Sequence, residues 1–223
     1  MSRVKTSETA RGYHHGDLRN ALIAAAAELA AEGGPDAVTI RGAARIVGVT
    51  PTAAYRHFAN QADLLAATKE RAMSGMLAAM AEHLAQLPES GDAAATAIDR
   101  LTSVGRGYIQ YALAEPGVFR TAFTGRLHAD SAPTDGPSWP DPQLTEVAPY
   151  RLLGEMLDAL VETGYLSPDD RPGAEAGPWA AVHGLAMLML DGPLRLAPPA
   201  EREAAIEQTL RLVARGLATG GAA

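Results

Sequence analysis

The chain has 223 residues, 47% of them hydrophobic and 5% aromatic, with a formal net charge of −7. It is long enough to bury a sizeable core, in one large domain or in a small domain joined to a larger one, and too apolar for wholesale disorder. Cysteine is absent, which excludes disulfides, thiolate zinc sites and thiol catalysis, and no run of uncharged apolar residues is long enough to span a membrane.

In chain order, the start MSRVKTSETARGYHHGD is basic and polar and lacks the apolar stretch of a secretory signal, so a cytoplasmic location is expected. Leu18, Leu22, Ala25, Ala26 and Leu29 recur at helical spacing up to a stop at Gly33-Gly34. Thr39 is placed to cap a short helix through Val47, with Ile40, Ala43, Ala44 and Val47 on one face. Gly48 breaks it. Thr50-Pro51 then restarts a helix, threonine as N-cap and proline at its tolerated first position, ending near His57-Phe58. Asn60 caps a long helix to about Gln86, and Asp92 opens another to about Leu113. A short helix follows Glu115-Pro116 and ends near Gly125; residues 126–142, rich in Pro, Asp and Ser, read as a loop. Helices are expected at 143–163, 175–190 and 200–217, before a frayed ATGGAA tail. No strand-like alternation and no repeat appear. The predicted fold class is all-α with about nine helices.

The net charge hides an asymmetry. Residues 1–60 hold seven Lys/Arg against five Asp/Glu, whereas residues 61–223 hold twelve against twenty-one. A mildly basic head on an acidic body suits a chain that meets an anionic partner at one end. The informative segment is TIRGAARIVGVTPTAAYRHFANQADLL, residues 39–65. Two short helices flank Gly48-Val49-Thr50, where glycine permits a tight turn and Ala43, Val49 and Ala54 can pack the helices together. This is helix-turn-helix spacing. A helix that enters the DNA major groove, about 12 Å wide, must be narrow. Pro51, Thr52 and Ala53 are compact, and Tyr55, Arg56 and His57 follow as polar groups able to reach phosphates or base edges.

The stretch from Tyr13 to Leu65 resembles the N-terminal DNA-binding domain of TetR-type transcriptional regulators. The matching residues are His14-His15-Gly16-Asp17-Leu18-Arg19, Gly33-Gly34, Thr39-Ile40-Arg41, Gly48-Val49-Thr50, Tyr55-Arg56-His57-Phe58 and the run from Asn60 to Leu65. The resemblance implies a DNA-binding domain over residues 1–60, with 1–12 a flexible basic arm, and a ligand-binding and dimerisation domain over 61–223. It implies DNA contacts at Thr39, Arg41, Thr50, Pro51, Thr52, Ala53, Tyr55, Arg56, His57 and Gln61. Thr39, Tyr55, His57 and Gln61 correspond to phosphate contacts, Arg41 to a guanine-edge contact, and Pro51, Thr52 and Ala53 to the surface facing base edges. Gln61 departs from the lysine usual in the family, which removes one released counterion and makes the salt slope shallower by roughly 0.9 per half-site. Arg3, Lys5 and Arg11 make a sparse arm, either a plain tail or a minor-groove element.

In the body, Trp179-Ala-Ala-Val-His183-Gly184 resembles a Trp-x-x-x-His-Gly signature of one TetR subgroup, and Ala114 to Arg120 resembles another segment of it. Trp179 and His183 share a helix face, as contacts to a ligand or as a packing unit. The expected ligand-cavity residues are Tyr108, Tyr111, Phe119, Phe123, Met156, Trp179, His183 and Met187, suited to a small, largely apolar organic effector. The expected dimer surface comprises Leu188 with the stripe Ile206, Leu210, Val213 and Leu217. Two copies packed as a four-helix bundle would present two recognition helices to a palindromic operator. The expected partners are thus double-stranded DNA, the effector and a second copy, with no membrane. The resulting expectation is a ligand-released repressor; an activator of the same fold, or a helical sensor that has lost operator recognition, are the alternatives. Enzymatic function is not expected: no P-loop, HExxH or Gly-x-Ser-x-Gly occurs, and adjacent His14-His15 lack further metal ligands, so neither cofactor nor metal is expected.

Overall fold

Four helices begin at a side chain that takes up N–H groups the first turn leaves without partners. Thr39 Oγ1 accepts from Gly42 N at 3.1 Å, Thr50 Oγ1 from Ala53 N at 3.3 Å and Asn60 Oδ1 from Asp63 N at 2.9 Å. Asp63 in turn accepts from Ala59 N at 3.1 Å, a reciprocal arrangement close to a capping box. Asp92 Oδ1 accepts from both Ala94 N and Ala95 N. The computed structural model describes residues 15–88, 91–123 and 147–218. The basic arm, the His14-His15 pair, the loop expected at 126–142 and the end of the tail lie outside the side chains so described.

Among the described residues the elements are α1 (His15–Gly33), α2 (Ile40–Val47), α3 (Pro51–Tyr55), α4 (Gln61–Ala85), α5 (Ala93–Ala114), α6 (Pro116–Phe123), α7 (Ala148–Glu162), α8 (Ala176–Leu190) and α9 (Pro199–Gly216), with no strand. Short 3-10 turns at Pro35–Ala37 and Pro193–Leu196 were not expected. Gly48 closes α2 in the left-handed region at φ 76°, where a side chain would be strained. The helix after Thr50 ends at Tyr55, earlier than the expected His57-Phe58; His57 N and Phe58 N still donate to Ala54 O, so the chain continues as a turn.

Two cores result. The head core joins Leu22, Ala26, Val38, Ile40, Ala44, Ala54 and Phe58 to Leu64 and Ala67 of α4. The body core is built around Met76, Ile109, Phe119, Leu157, Leu160 and Met189. Helix α4 therefore serves both, and at about 1.5 Å rise per residue it is a rod of roughly 37 Å. A small cluster of Ala72, Val118 and Ala122 fills the junction. Gly107 lets α5 lie against α4, since a Cβ there would stand 2.7 Å from Met80 Cα.

One expectation about surfaces is corrected. Ile206 and Leu210 are 3% and 5% exposed, packed into the core of their own chain, and Val213 and Leu217 lean against that core. The stripe is the inward face of α9. Its apolar periodicity is real, but its partner is the same chain, so it is not free to meet a second copy. Leu188, by contrast, is 45% exposed on α8, and Leu212 is 59% exposed on the outer face of α9.

Candidate nucleic-acid interface and body cavity

The head presents a continuous outer surface along the start of α2, through α3 and onto the start of α4. Arg41, Thr50, Pro51, Thr52, Tyr55, Arg56 and Gln61 are exposed, whereas Thr39, Ala53 and His57 are half-buried. Ala54, between them on α3, is fully buried and holds the helix against α1 and α2. Phe58 is buried, and the Arg19 guanidinium stands 5.3 Å from its ring centre, which anchors the end of the turn. The cap oxygens of Thr39 and Thr50 accept backbone N–H groups, which leaves each hydroxyl hydrogen to donate outward.

The cations of this surface are not neutralised internally. Arg41, Arg45 and Arg56 meet no carboxylate among the described residues. Three arginines of the body are paired. Arg106 pairs with Glu203 and Glu207, Arg120 with Asp191, and Arg171 with Asp158 and Glu175. The Arg120 guanidinium holds the Asp191 carboxyl below its ordinary range. The head carries this open cationic face in a chain whose excess negative charge lies in residues 61–223.

In the body, Tyr108, Phe119, Phe123, Trp179 and His183 come together. Tyr108 and Phe119 meet edge to face at 5.6 Å, and Phe123 lies 4.9 Å from the His183 ring. Trp179 Nε1 donates to the Tyr108 oxygen at 3.4 Å, and the Tyr108 hydroxyl lies 2.8 Å from His183 Nδ1. The Tyr108 hydroxyl and His183 Nδ1 therefore share one hydrogen bond, whose direction is set by the imidazole tautomer. Burial lowers the His183 pKa from 6.5 and raises that of Tyr108, so both are neutral at neutral pH. The predicted Trp179–His183 face is thus a hydrogen-bonded unit with α5. Gly184 does not join it: a Cβ there would meet nothing within 4 Å.

A cavity of about 60 Å³ lies beside this unit, lined by residues of α4, α5, α6, α7, α8 and α9. Of the predicted ligand residues, Tyr108, Phe123 and Trp179 line it. His183 backs it through Tyr108. Phe119 and Met156 are buried in the packed core, and Met187 leans against that core without reaching the cavity wall. Tyr111 lies elsewhere, one helical turn on from Tyr108, in a separate groove of about 590 Å³ with Glu28, Arg71 and Gly75. Burial and the Glu115 charge push its pKa up to about 12. Leu210 and Val213, expected at a dimer surface, line the cavity instead.

Sequence reading missed the wall formed by Met73, Met76 and Met80, and it missed Tyr150. The methionines carried a signal, since spacings of three and four put them on one face of α4. Tyr150 carried little, because only the packing of α7 against α4 and α5, which sets its ring against Trp179, brings it to the cavity.

Comparisons with known proteins now have a structural setting. Residues 22–68 match the family model described as bacterial regulatory proteins, tetR family. Residues 101–213, just over half of the chain, match tetracyclin repressor-like, C-terminal domain. Curated proteins gave no match. Among solved structures, a protein of unknown function from Rhodococcus sp. RHA1 is 25% identical, with a TM-score of 0.74 over 94% of this chain and 100% of that one. A TetR family transcription regulator from Marinobacter aquaeolei VT8 shares the fold at 18% identity and a TM-score of 0.60, covering 87% of this chain and 94% of that one. PfmR, a TetR family transcriptional regulator from Thermus thermophilus, does so at 22% identity and a TM-score of 0.57, covering 89% and 99%. With a helix-turn-helix head and a helical body each matched by its own family model, this chain belongs to the tetR family and is a DNA-binding transcription regulator of that type.

Proposed function

We propose that this regulator is a ligand-released repressor that binds a palindromic operator as a homodimer. The observation that carries the reading is the exposed polar and cationic face of the helix-turn-helix. Arg41 and Arg56 stand exposed and without carboxylate partners among the described residues, on either side of the α2–α3 turn, in a chain of net charge −7. Such cations release counterions when they meet phosphate, which supplies affinity. Thr39, Tyr55, His57 and Gln61 hold the backbone. Arg41 reads a guanine edge, and Thr50, Pro51, Thr52 and Ala53 bring α3 to the base edges, with Arg56 in reach of phosphate or base. Residues 1–60 act as the DNA-binding unit, and Leu64 and Ala67 carry α4 from the body into its core.

The dimer surface follows from what each chain leaves uncovered. Gly177, Ala180 and Leu188 are exposed along one side of α8, with Gly184 between them open to any neighbour, and Leu212 is exposed on adjoining α9. A second copy packed there would bury the exposed leucines, and the glycines would let the helix axes approach. Twofold symmetry then sets two copies of α3 for half-sites one DNA turn apart. Effector binding in the body favours a dimer whose heads are wrongly spaced. Each tenfold loss of operator affinity requires about 1.4 kcal/mol of preference for that state.

The test is fluorescence anisotropy of the purified protein against duplexes that tile the region upstream of its own gene, at low and near-physiological salt with random duplex as competitor. Saturable binding to one palindromic tile that survives competition is expected. Binding that is equal on every tile and vanishes with salt contradicts operator recognition within that region.

A further inference from the structure

Among the described residues the cavity wall has no charged side chain and no histidine; its polar side chains are Thr102, Tyr108, Tyr150 and Trp179. Three of these are committed within the protein. Thr102 Oγ1 donates to the Ile98 and Asp99 carbonyls, Trp179 donates to Tyr108, and Tyr108 is bound to His183. Tyr150 is different. Its hydroxyl oxygen is buried and has no hydrogen-bond partner among the described residues. A buried hydroxyl without a partner is costly, and in an otherwise satisfied apolar wall it marks a place where a partner is expected. Burial and the nearby Glu175 charge keep the phenol protonated, so what it offers is a donor.

We infer that the body cavity takes a small, uncharged, predominantly apolar organic molecule carrying one hydrogen-bond acceptor, a ketone, ester or ether oxygen, which receives the Tyr150 hydroxyl. This rests on the ligand-responsive reading above and names the chemistry of its effector. A carboxylate has no cation to meet in this wall, and a cation has no anion; either would be buried without a counter-charge. A second strongly polar group would find no free partner. At about 60 Å³ the cavity is smaller than the usual range for small-molecule sites, so occupancy requires the wall to yield. Met73, Met76 and Met80 supply that freedom from one face of α4, because the unbranched thioether side chain repacks readily. The same helix carries Leu64 into the head core, so a displaced methionine wall acts on the element that holds the head.

The experiment uses three probes of similar shape, acetophenone, ethylbenzene and benzoate, titrated by calorimetry into full-length wild-type protein and Tyr150→Phe. Thermal unfolding confirms that the variant is folded. Acetophenone is expected to bind roughly tenfold more tightly than ethylbenzene, the equivalent of one neutral hydrogen bond, with no binding of benzoate. In Tyr150→Phe the preference for acetophenone over ethylbenzene falls to near one while ethylbenzene binding persists. Benzoate binding as well as acetophenone overturns the inference, as does acetophenone that fails to saturate at its solubility limit. An unchanged preference in Tyr150→Phe overturns it too, since the hydroxyl is then satisfied by water. Operator anisotropy keeps the two readings apart: acetophenone that binds as predicted but leaves the operator bound supports the ligand class and contradicts ligand release.

Discussion

Gly117 of α6 rests on the backbone of α1 at Ala31. A Cβ at Gly117 would stand 2.0 Å from Ala31 Cα and 2.2 Å from the Ala30 carbonyl oxygen, so no other residue fits there without moving a helix. Two residues on from Gly117, Phe119 is fully buried against Tyr108, and Phe123 further along lines the cavity. One eight-residue helix therefore touches both the head and the cavity wall, a second link beside α4. Gly117→Ala is expected to force α6 from α1 and destabilise the fold by about 1–3 kcal/mol, as overpacking does. For a chain of this size that lowers Tm by roughly 3–10 °C. Operator affinity should fall with it. Thermal unfolding and anisotropy read both; an unchanged Tm contradicts the close contact.

The dimer assignment separates two leucines on neighbouring helices. Leu188 is 45% exposed and Leu210 only 5% exposed in the single chain. Leu188→Asp should give a folded monomer by light scattering, with Tm changed only by the loss of association. Leu210→Asp puts a charge into the protomer core, where an unpaired ion costs several kcal/mol, and should unfold the chain. A Leu188→Asp protein that remains dimeric at low micromolar concentration places the interface elsewhere.

How much of this was legible in the sequence depends on the range of the interactions. The caps Thr39, Thr50, Asn60 and Asp92 act within four residues, and each does what its spacing promised. The helix-turn-helix is equally local, so Gly48, Ala43 and Ala54 could be assigned from the chain alone. The stripe Ile206, Leu210, Val213 and Leu217 shows the limit. Periodicity reports that a helix face is apolar, and it does not report whether the covering surface belongs to the same chain. Tyr108 and Tyr111 show it again: three residues apart, they face different grooves, and only the packing of α4 decides which meets the cavity.

The proposed DNA contacts divide by their effect on specificity. Arg41→Ala should relax base preference at one symmetric operator position and cost about 1–3 kcal/mol per half-site. Uniform weakening on all sequences would make Arg41 a phosphate contact instead. Gln61→Lys restores a charge at the first residue of α4 and should steepen the salt slope by roughly 0.9 per half-site without altering sequence preference. Binding titrations across a salt series on matched and mismatched duplexes measure both.

The His183 imidazole gives the body a sensitivity to acid. Its pKa in the fold lies below 6.5 because burial disfavours the charged ring. Above that pH both folded and unfolded states carry neutral histidine, and this residue adds no pH dependence. As pH falls below 6.5, the unfolded chain takes up a proton that the folded one refuses, so stability drops until the folded pKa is passed. Tm measured between pH 8 and pH 5 should therefore decline more in wild type than in His183→Gln, whose amide can still hydrogen-bond with Tyr108. Parallel curves for the two proteins contradict a neutral, Tyr108-bound His183.

The most direct test of the central claim is a stoichiometric titration, at concentrations well above Kd, of the operator found upstream of the gene, alongside a duplex carrying only one half-site. The account predicts saturation at two protomers per full operator, and affinity for the half-site weaker by several orders of magnitude because it loses the second α3 contact surface. Saturation at one protomer per duplex, or equal affinity for the half-site and the full palindrome, would contradict it.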